Sequence, residues 1–210
     1  MPIDTVVFDL GNVLVRWDRR FLFAKLIDDA DELDRFLDDV LTLDVNAELD
    51  RGVPLAEVTA SLAQRFPGER TLIEAFRDRW AETLGDILWD TVAIVEELRA
   101  GSVTLLALSN WGRDTFLVAE PHLPFLPHFA GLVISGREGV VKPDPAIFEI
   151  LCARYGVDPA SAVFVDDSAA NIATAQSLGF RTVHFVDPTQ CRAELIAVGL
   201  DLSPAGPRSH

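Results

Sequence analysis

Two adjacent acids, Asp166 and Asp167, follow the apolar run AVFV, and a third, Asp9, follows the apolar run TVVF near the start of the chain. Neighbouring carboxylates repel each other unless a cation joins them, so a pair set directly after a buried strand points to a divalent metal. Mg²⁺ prefers carboxylate and water oxygens. Ser109 and Asn110 close another apolar run, TLLAL, and Lys142 stands in VVKPDP just ahead of a helix start. Together these residues offer three carboxylates, a hydroxyl, an amide and an ammonium. Each also has a plain structural reading: an acid or Ser-Asn after a strand serves as a turn or a helix cap, and Lys-Pro-Asp can be a solvated loop.

Whether these residues form one set depends on the elements that carry them. TVVF, VTLLAL, GLVI, AVFV and RTVHF are rich in β-branched residues and too short for most helices, so they read as buried strands. Helix-period segments separate most of them. DTVAIVEELRAG ends at Gly101; in DPAIFEILCARYGV, Asp144 can cap and Pro145 fits the first helical position; SAANIATAQSLGF starts at a capping Ser168 and stops at Gly179. Alternation of strand and helix from about residue 88 onward predicts an α/β fold, a doubly wound parallel sheet with a Rossmann-like core. In such a sheet the carboxyl ends of the strands share one edge, and ligands bind in the crevice outside it.

About 70 residues between the first strand and this alternation carry helical periodicity alone. Leu33, Phe36, Leu37, Val40 and Leu41 share one face; Leu55, Val58, Leu62 and Phe66 share another; Leu72, Ile73, Phe76, Trp80 and Leu84 mark a third helix. The expected organisation is an α/β core over 1–15 and 86–202, a small helical cap inserted after strand one over 16–85, and a flexible tail over 203–210.

FDLGNVL, LSNWG, VVKPDPAIF and VFVDDSAANI, in this order, resemble the four motifs of the haloacid dehalogenase-like hydrolase superfamily, and the helical insertion resembles its cap domain. FDLGNV and NAELDRGVPLAEV are most similar to the glucose 1-phosphate phosphatase-like branch. The resemblance implies a nucleophilic Asp9 that forms an aspartyl-phosphate. It implies Mg²⁺ held by Asp9, the Gly11 carbonyl and Asp167, with Asp166 acting second or through water. Ser109 and Asn110 would hydrogen-bond the phosphoryl oxygens, Lys142 would neutralise phosphate and nucleophile, Asn171 would orient Lys142, and Arg51 would contact substrate. The implied activity is that of a Mg²⁺-dependent phosphatase acting on a small phosphorylated metabolite, with a sugar phosphate as the favoured class.

One position departs from the common phosphatase pattern. Phosphatases of this superfamily commonly carry a second Asp two residues after the nucleophile, as general acid and base; here that residue is Gly11. Water, the substrate, or a cap acid such as Glu48 or Asp50 could move the proton instead. A metal-independent 2-haloacid dehalogenase using the same Asp9 is a second reading, because that family has a non-acidic residue at the Gly11 position. Against it, such enzymes lack the paired acids, and Phe148 stands where they carry a tyrosine. A non-catalytic module that binds a phosphorylated ligand is a third.

Bulk composition narrows the partners. With 18 basic against 33 acidic residues the net charge is −15, which argues against nucleic acid or an anionic membrane as the main partner. The N-terminal MPIDTVVFDLGNVLV has no basic segment and carries acids, so it reads as neither signal peptide nor membrane span, and the cytoplasm is the expected location. Cys152 and Cys191 lack metal-ligand spacing. Trp111 and Arg113 could line the crevice, Trp17 could hold the hinge to the cap, and His184 reads as a packed strand residue.

Overall fold

The computed structural model describes residues 2–203. Its strands are β1 (Thr5–Phe8), β2 (Val15–Trp17), β3 (Leu84–Ile87), β4 (Thr104–Ser109), β5 (Gly131–Ile134), β6 (Ala162–Asp166) and β7 (Arg181–His184). Five of them form a parallel sheet in the order β5-β4-β1-β6-β7, while β2 and β3 pair as an antiparallel ribbon. This is the doubly wound α/β architecture expected from the alternation of apolar runs and helix-period segments.

Successive strand residues point to opposite faces, and both faces are covered. Val6, Phe8, Leu105, Ala107, Val163 and Val165 pack into one apolar cluster; Val7, Leu106, Leu108 and Phe164 pack into the other. The first is covered by helices that include Trp89–Ala100 and Pro188–Ala197, the second by Pro145–Tyr155 and Ala169–Ser177. Helix Pro145–Tyr155 is delimited as its sequence suggests. The Asp144 carboxylate accepts from the Ala146 N–H at 2.9 Å, Pro145 opens the helix, and Gly156 closes it at φ +68°. Ser168 differs from expectation: its side chain makes no cap bond, and its backbone N–H instead donates to Asp166 Oδ1 at 2.8 Å.

The ribbon of β2 and β3 brackets the insertion and so lies across the expected domain boundaries. Between the two strands run helices Arg20–Phe23, Ala30–Arg35, Leu43–Asp50, Leu55–Arg65 and Arg70–Asp78, with a π-helical stretch at Phe36–Val40. Their shared core holds Leu33, Phe36, Leu37, Val40, Leu41, Leu62 and Phe76, and the Phe23 ring lies 4.8 Å from Phe36 and 6.4 Å from Phe76. The third helix is shorter than its apolar spacing predicts. It stops at Asp78, Trp80 falls on a 3-10 turn, and Leu84 opens β3 opposite Trp17. Ladder pairing to β2 takes the backbone that the apolar period alone would have kept helical. At the far end, Ser203 accepts a hydrogen bond from Arg192 at 2.8 Å and donates to Glu97, so the part of the expected tail that is described is tied to the core. The rest of that expectation, 204–210, lies outside the described residues.

Glycines let the insertion approach the backbone of segments just beyond the strands closely. Gly52 sits at φ +94°, and a β-carbon there would lie 2.7 Å from the Gly136 carbonyl oxygen. A β-carbon on Gly112 would lie 3.1 Å from Leu49 Cβ. A side chain at Gly52 is therefore opposed by both backbone conformation and space. Gly52→Ala is expected to lower unfolding free energy by at least ~1–2 kcal/mol, the ordinary cost of a left-handed L-residue. Urea denaturation checks this, with Gly68→Ala as the control because nothing lies within 4 Å of its β-carbon position.

Candidate active site

Strand register sets the first layer of the site. Phe8 pairs with Ala107 on one side and Val165 on the other, so Asp9, Leu108 and Asp166 stand level at the carboxyl edge. Lys142 reaches that level from the loop ahead of helix Pro145–Tyr155. Its Nζ lies 3.0 Å from Asp9 Oδ2 and 2.6 Å from Asp166 Oδ2, and donates to the Leu108 carbonyl at 2.8 Å. The Lys142 side chain is wholly buried. Burial opposes its charge, but Asp9 and Asp166 outweigh that and hold its pKa above the ordinary lysine value.

Asp9 is bound at its other oxygen as well: Oδ1 accepts from Ser109 Oγ at 2.6 Å and from the Leu10 N–H at 2.7 Å. Burial raises the Asp9 pKa to about 7; Lys142 works against the rise, Asp166 adds to it, Ser109 opposes it and Asp167 adds again. Asp166 is fully buried, and its oxygens accept from Ser168 N–H, Lys142 Nζ and Asn171 Nδ2, the last at 2.9 and 3.1 Å. Asp167 is more open and lines the cleft, with its pKa raised by burial and by Asp166.

Two amides hold the lysine and its partner. Asn171 binds both oxygens of Asp166, the carboxylate that accepts from Lys142, and so acts on the lysine at one remove. Asn110 lines the cleft, but its side chain is engaged with the Lys142 backbone, donating to the carbonyl at 2.9 Å and accepting from the N–H at 2.8 Å. That reciprocal pair aligns the loop that carries the ammonium. Ser109 likewise faces Asp9 in this structure rather than standing free for a phosphoryl oxygen.

The layer above comes from the insertion. A cleft of about 500 Å³ has Asp9, Gly11, Lys142 and Asp167 at its floor and Trp17, Leu43, Asn46, Asp50 and Trp80 on its walls. Asn12, at φ +56°, turns the chain after Gly11, and its Oδ1 accepts from the Trp17 N–H at 3.1 Å. Trp111 and Trp80 pack with ring centroids 6.0 Å apart, and both indole N–H groups are buried without a partner among the described residues. Of the two cap acids named from sequence, Asp50 lines the cleft, whereas Glu48 is exposed away from it. Arg51 is also turned out: it is exposed, and its guanidinium donates to the Ala47 carbonyl at 3.3 Å. Asn46, Leu43 and Trp80 were not named as site residues from the sequence, where Trp80 read only as part of the third helix; the four-residue step from Asn46 to Asp50 on one helix was the signal available for the first. His184 is exposed rather than packed, its ring nitrogen 3.0 Å from the Asp167 carbonyl.

The floor fits a divalent metal. Asp9, Asp166 and Asp167 each offer an oxygen, all within 4.8 Å of one another. Three carboxylates against one ammonium leave excess negative charge, and an all-oxygen donor set suits a hard cation such as Mg²⁺. Among the described residues no helix is long and apolar enough to cross a membrane.

Comparison with known proteins gives this geometry its family. Mouse acyl-CoA dehydrogenase family member 10 is 38% identical over 105 residues, covering 50% of this chain and 10% of that protein, so the chain spans about a tenth of that relative. The sesquiterpene phosphatase astK of Aspergillus oryzae is 25% identical over 195 residues, 90% of this chain and 93% of that protein. (S)-2-haloacid dehalogenases match as well. The solved structure of HAD family enzyme bt-2542 from Bacteroides thetaiotaomicron, in complex with magnesium and inorganic phosphate, superposes with a TM-score of 0.69 at 23% identity, covering 88% of this chain and 95% of that chain. Residues 3–179 match the family described as haloacid dehalogenase-like hydrolase, and the chain belongs to that family of hydrolases.

Proposed function

We propose that this hydrolase is a Mg²⁺-dependent phosphatase that cleaves a small phosphomonoester, with a sugar phosphate as the favoured class, through an aspartyl-phosphate on Asp9. The observation that carries the reading is the floor of the cleft: a carboxylate nucleophile beside a buried ammonium, with a second and third carboxylate within 4.8 Å. Attack on carbon needs no such acid cluster. Attack on a phosphoryl group, with charge spread over its oxygens, calls for concentrated positive charge.

Asp9 would attack phosphorus, and Lys142 would neutralise the incoming phosphoryl oxygens. The hydroxyl of Ser109, now on Asp9 Oδ1, is placed to turn to a phosphoryl oxygen as the nucleophile engages. Asp9, Asp167 and the Gly11 carbonyl would hold Mg²⁺, with Asp166 second; the metal would supply charge neutralisation to nucleophile and phosphate. Asn110 and Asn171 would keep Lys142 and Asp166 in place. A membership in the glucose 1-phosphate phosphatase-like branch rests on the FDLGNV and NAELDRGVPLAEV segments. The Asn12 amide, which lines the cleft, would suit an oxygen-rich leaving group.

A 2-haloacid dehalogenase remains the second reading, favoured by Gly11, whose position holds no acid. The two readings separate on metal. Phosphate release is expected to vanish on chelation, return with Mg²⁺ and be abolished in Asp9→Asn, with a labelled phosphoenzyme trapped in the wild type. Chelator-resistant halide release from a 2-haloacid, with no phosphate from any ester, would establish the dehalogenase instead. Asn171→Ala is expected to weaken Mg²⁺ affinity or turnover by about 10- to 100-fold, the usual cost of losing a residue that orients a metal-site carboxylate. Titration of activity against Mg²⁺ measures it.

A further inference from the structure

We propose that Asp50, carried by the insertion, is the general acid and base of this site, in place of the acid missing at Gly11. This rests on the phosphatase reading. Among the described residues that line the cleft the acids are Asp9, Asp50 and Asp167, and the first and last are occupied with nucleophilic attack and metal. Asp50 is the carboxyl without a role, and it faces the same space as Gly11, where nothing lies within 4 Å of a β-carbon position.

Its placement is built rather than incidental. Asp50 closes helix Leu43–Asp50, and Asn46, one turn earlier, donates from Nδ2 to Asp50 Oδ2 at 3.0 Å. The next two residues form the turn in which Gly52 meets the Gly136 carbonyl, and Leu49 rests on Gly112. Close approach at these glycines is what brings the end of this helix to the cleft. The charged groups acting on Asp50 are Lys142 of the core and its neighbour Arg51. Burial raises the Asp50 pKa to about 7, with Lys142, Arg51, the Asn46 amide and the Gly112 backbone N–H holding it from going higher. An acid titrating there is matched to proton transfer near neutral pH.

In the first half-reaction an Asp9 oxygen bonds to phosphorus while the phosphorus–ester oxygen bond breaks, its electron pair going to the ester oxygen. The Asp50 proton passes to that oxygen, the alcohol leaves, and Asp50 becomes a carboxylate. In the second half-reaction Asp50 takes a proton from water as the water oxygen bonds to phosphorus. The bond between phosphorus and the Asp9 oxygen breaks, its electron pair returns to Asp9, and inorganic phosphate departs.

Leaving-group dependence tests this. With Mg²⁺ present, Asp50→Asn is expected to lose about 10²- to 10⁴-fold in kcat/KM for benzyl phosphate, the range of general acid catalysis, and less than about tenfold for 4-nitrophenyl phosphate, whose leaving group needs little protonation. For benzyl phosphate the wild type loses kcat/KM as pH rises through about 7, where Asp50 gives up its proton, and Asp50→Asn lacks this limb. Adding Gly11→Asp to Asp50→Asn is expected to restore the benzyl phosphate rate. Asn46→Ala, which leaves Asp50 intact but removes a bond that favours its charged form, is expected to move the limb to higher pH. Equal losses on both esters without rescue would assign Asp50 a structural role, and unchanged kcat/KM in Asp50→Asn would overturn the proposal outright. A wild type that releases no phosphate from either ester or from a sugar phosphate panel removes the phosphatase reading and this proposal with it; wild-type turnover untouched by Asp50→Asn removes the proposal alone.

Discussion

An ammonium with no solvent exposure is costly to bury, and the Lys142 charge is tolerable because two carboxylates and a carbonyl surround it. Those three partners are Asp9, directly after β1, Asp166 of β6 and Leu108 of β4, and the three strands are adjacent. The lysine therefore ties together the carboxyl ends of the central strands, and parallel register is what sets its partners level. Asn110 clamps the Lys142 backbone and Asn171 clamps Asp166, so the ion triad is fixed from both sides. A buried charge pair contributes little net stability after its desolvation. What this one provides is a pre-set positive charge beside Asp9 in an otherwise strongly acidic chain.

The same network explains why the floor remains short of positive charge. Lys142 answers Asp9 and Asp166, while burial and its acidic neighbour still push Asp167 above the ordinary carboxylate range. The three carboxylate oxygens within 4.8 Å of one another form an all-oxygen donor set that suits a hard divalent cation. The cleft is thus built in two layers: charged atoms at the sheet edge, and Leu43, Asn46, Asp50 and Trp80 from the insertion. Glycine at positions 52 and 112 is what allows the layers to touch, since a β-carbon at Gly52 would meet the Gly136 carbonyl and one at Gly112 would meet Leu49.

Much of this was legible in the sequence, and for identifiable reasons. Each buried strand is a short β-branched run, and in a parallel sheet its last residues must come to one edge, so Asp9, Ser109 and Asp166 could be grouped before any coordinates. Lys142 followed from its place ahead of a capped helix. Side-chain pairing was not legible. Asn171 lies at a spacing that reaches either Asp166 or the lysine, and Asn110 has two ends that suit either a phosphate or a backbone; local sequence does not rank such options. Helical periodicity carried the third cap helix through Trp80 to Leu84, because a buried residue looks the same whether a helix or a ribbon buries it.

The sequence by itself determined the fold class, the order of the elements and the types of chemical group at the sheet edge, because these depend on periodicity and on where apolar runs stop. Tertiary structure alone decided which cap residues face the cleft. Glu48, Asp50 and Arg51 are neighbours in sequence, yet only Asp50 is turned inward, with Asn46 fixing it and Gly52 letting its helix descend. That choice rests on how closely two backbones can approach, a property of the packed molecule that no spacing of residues along one helix contains.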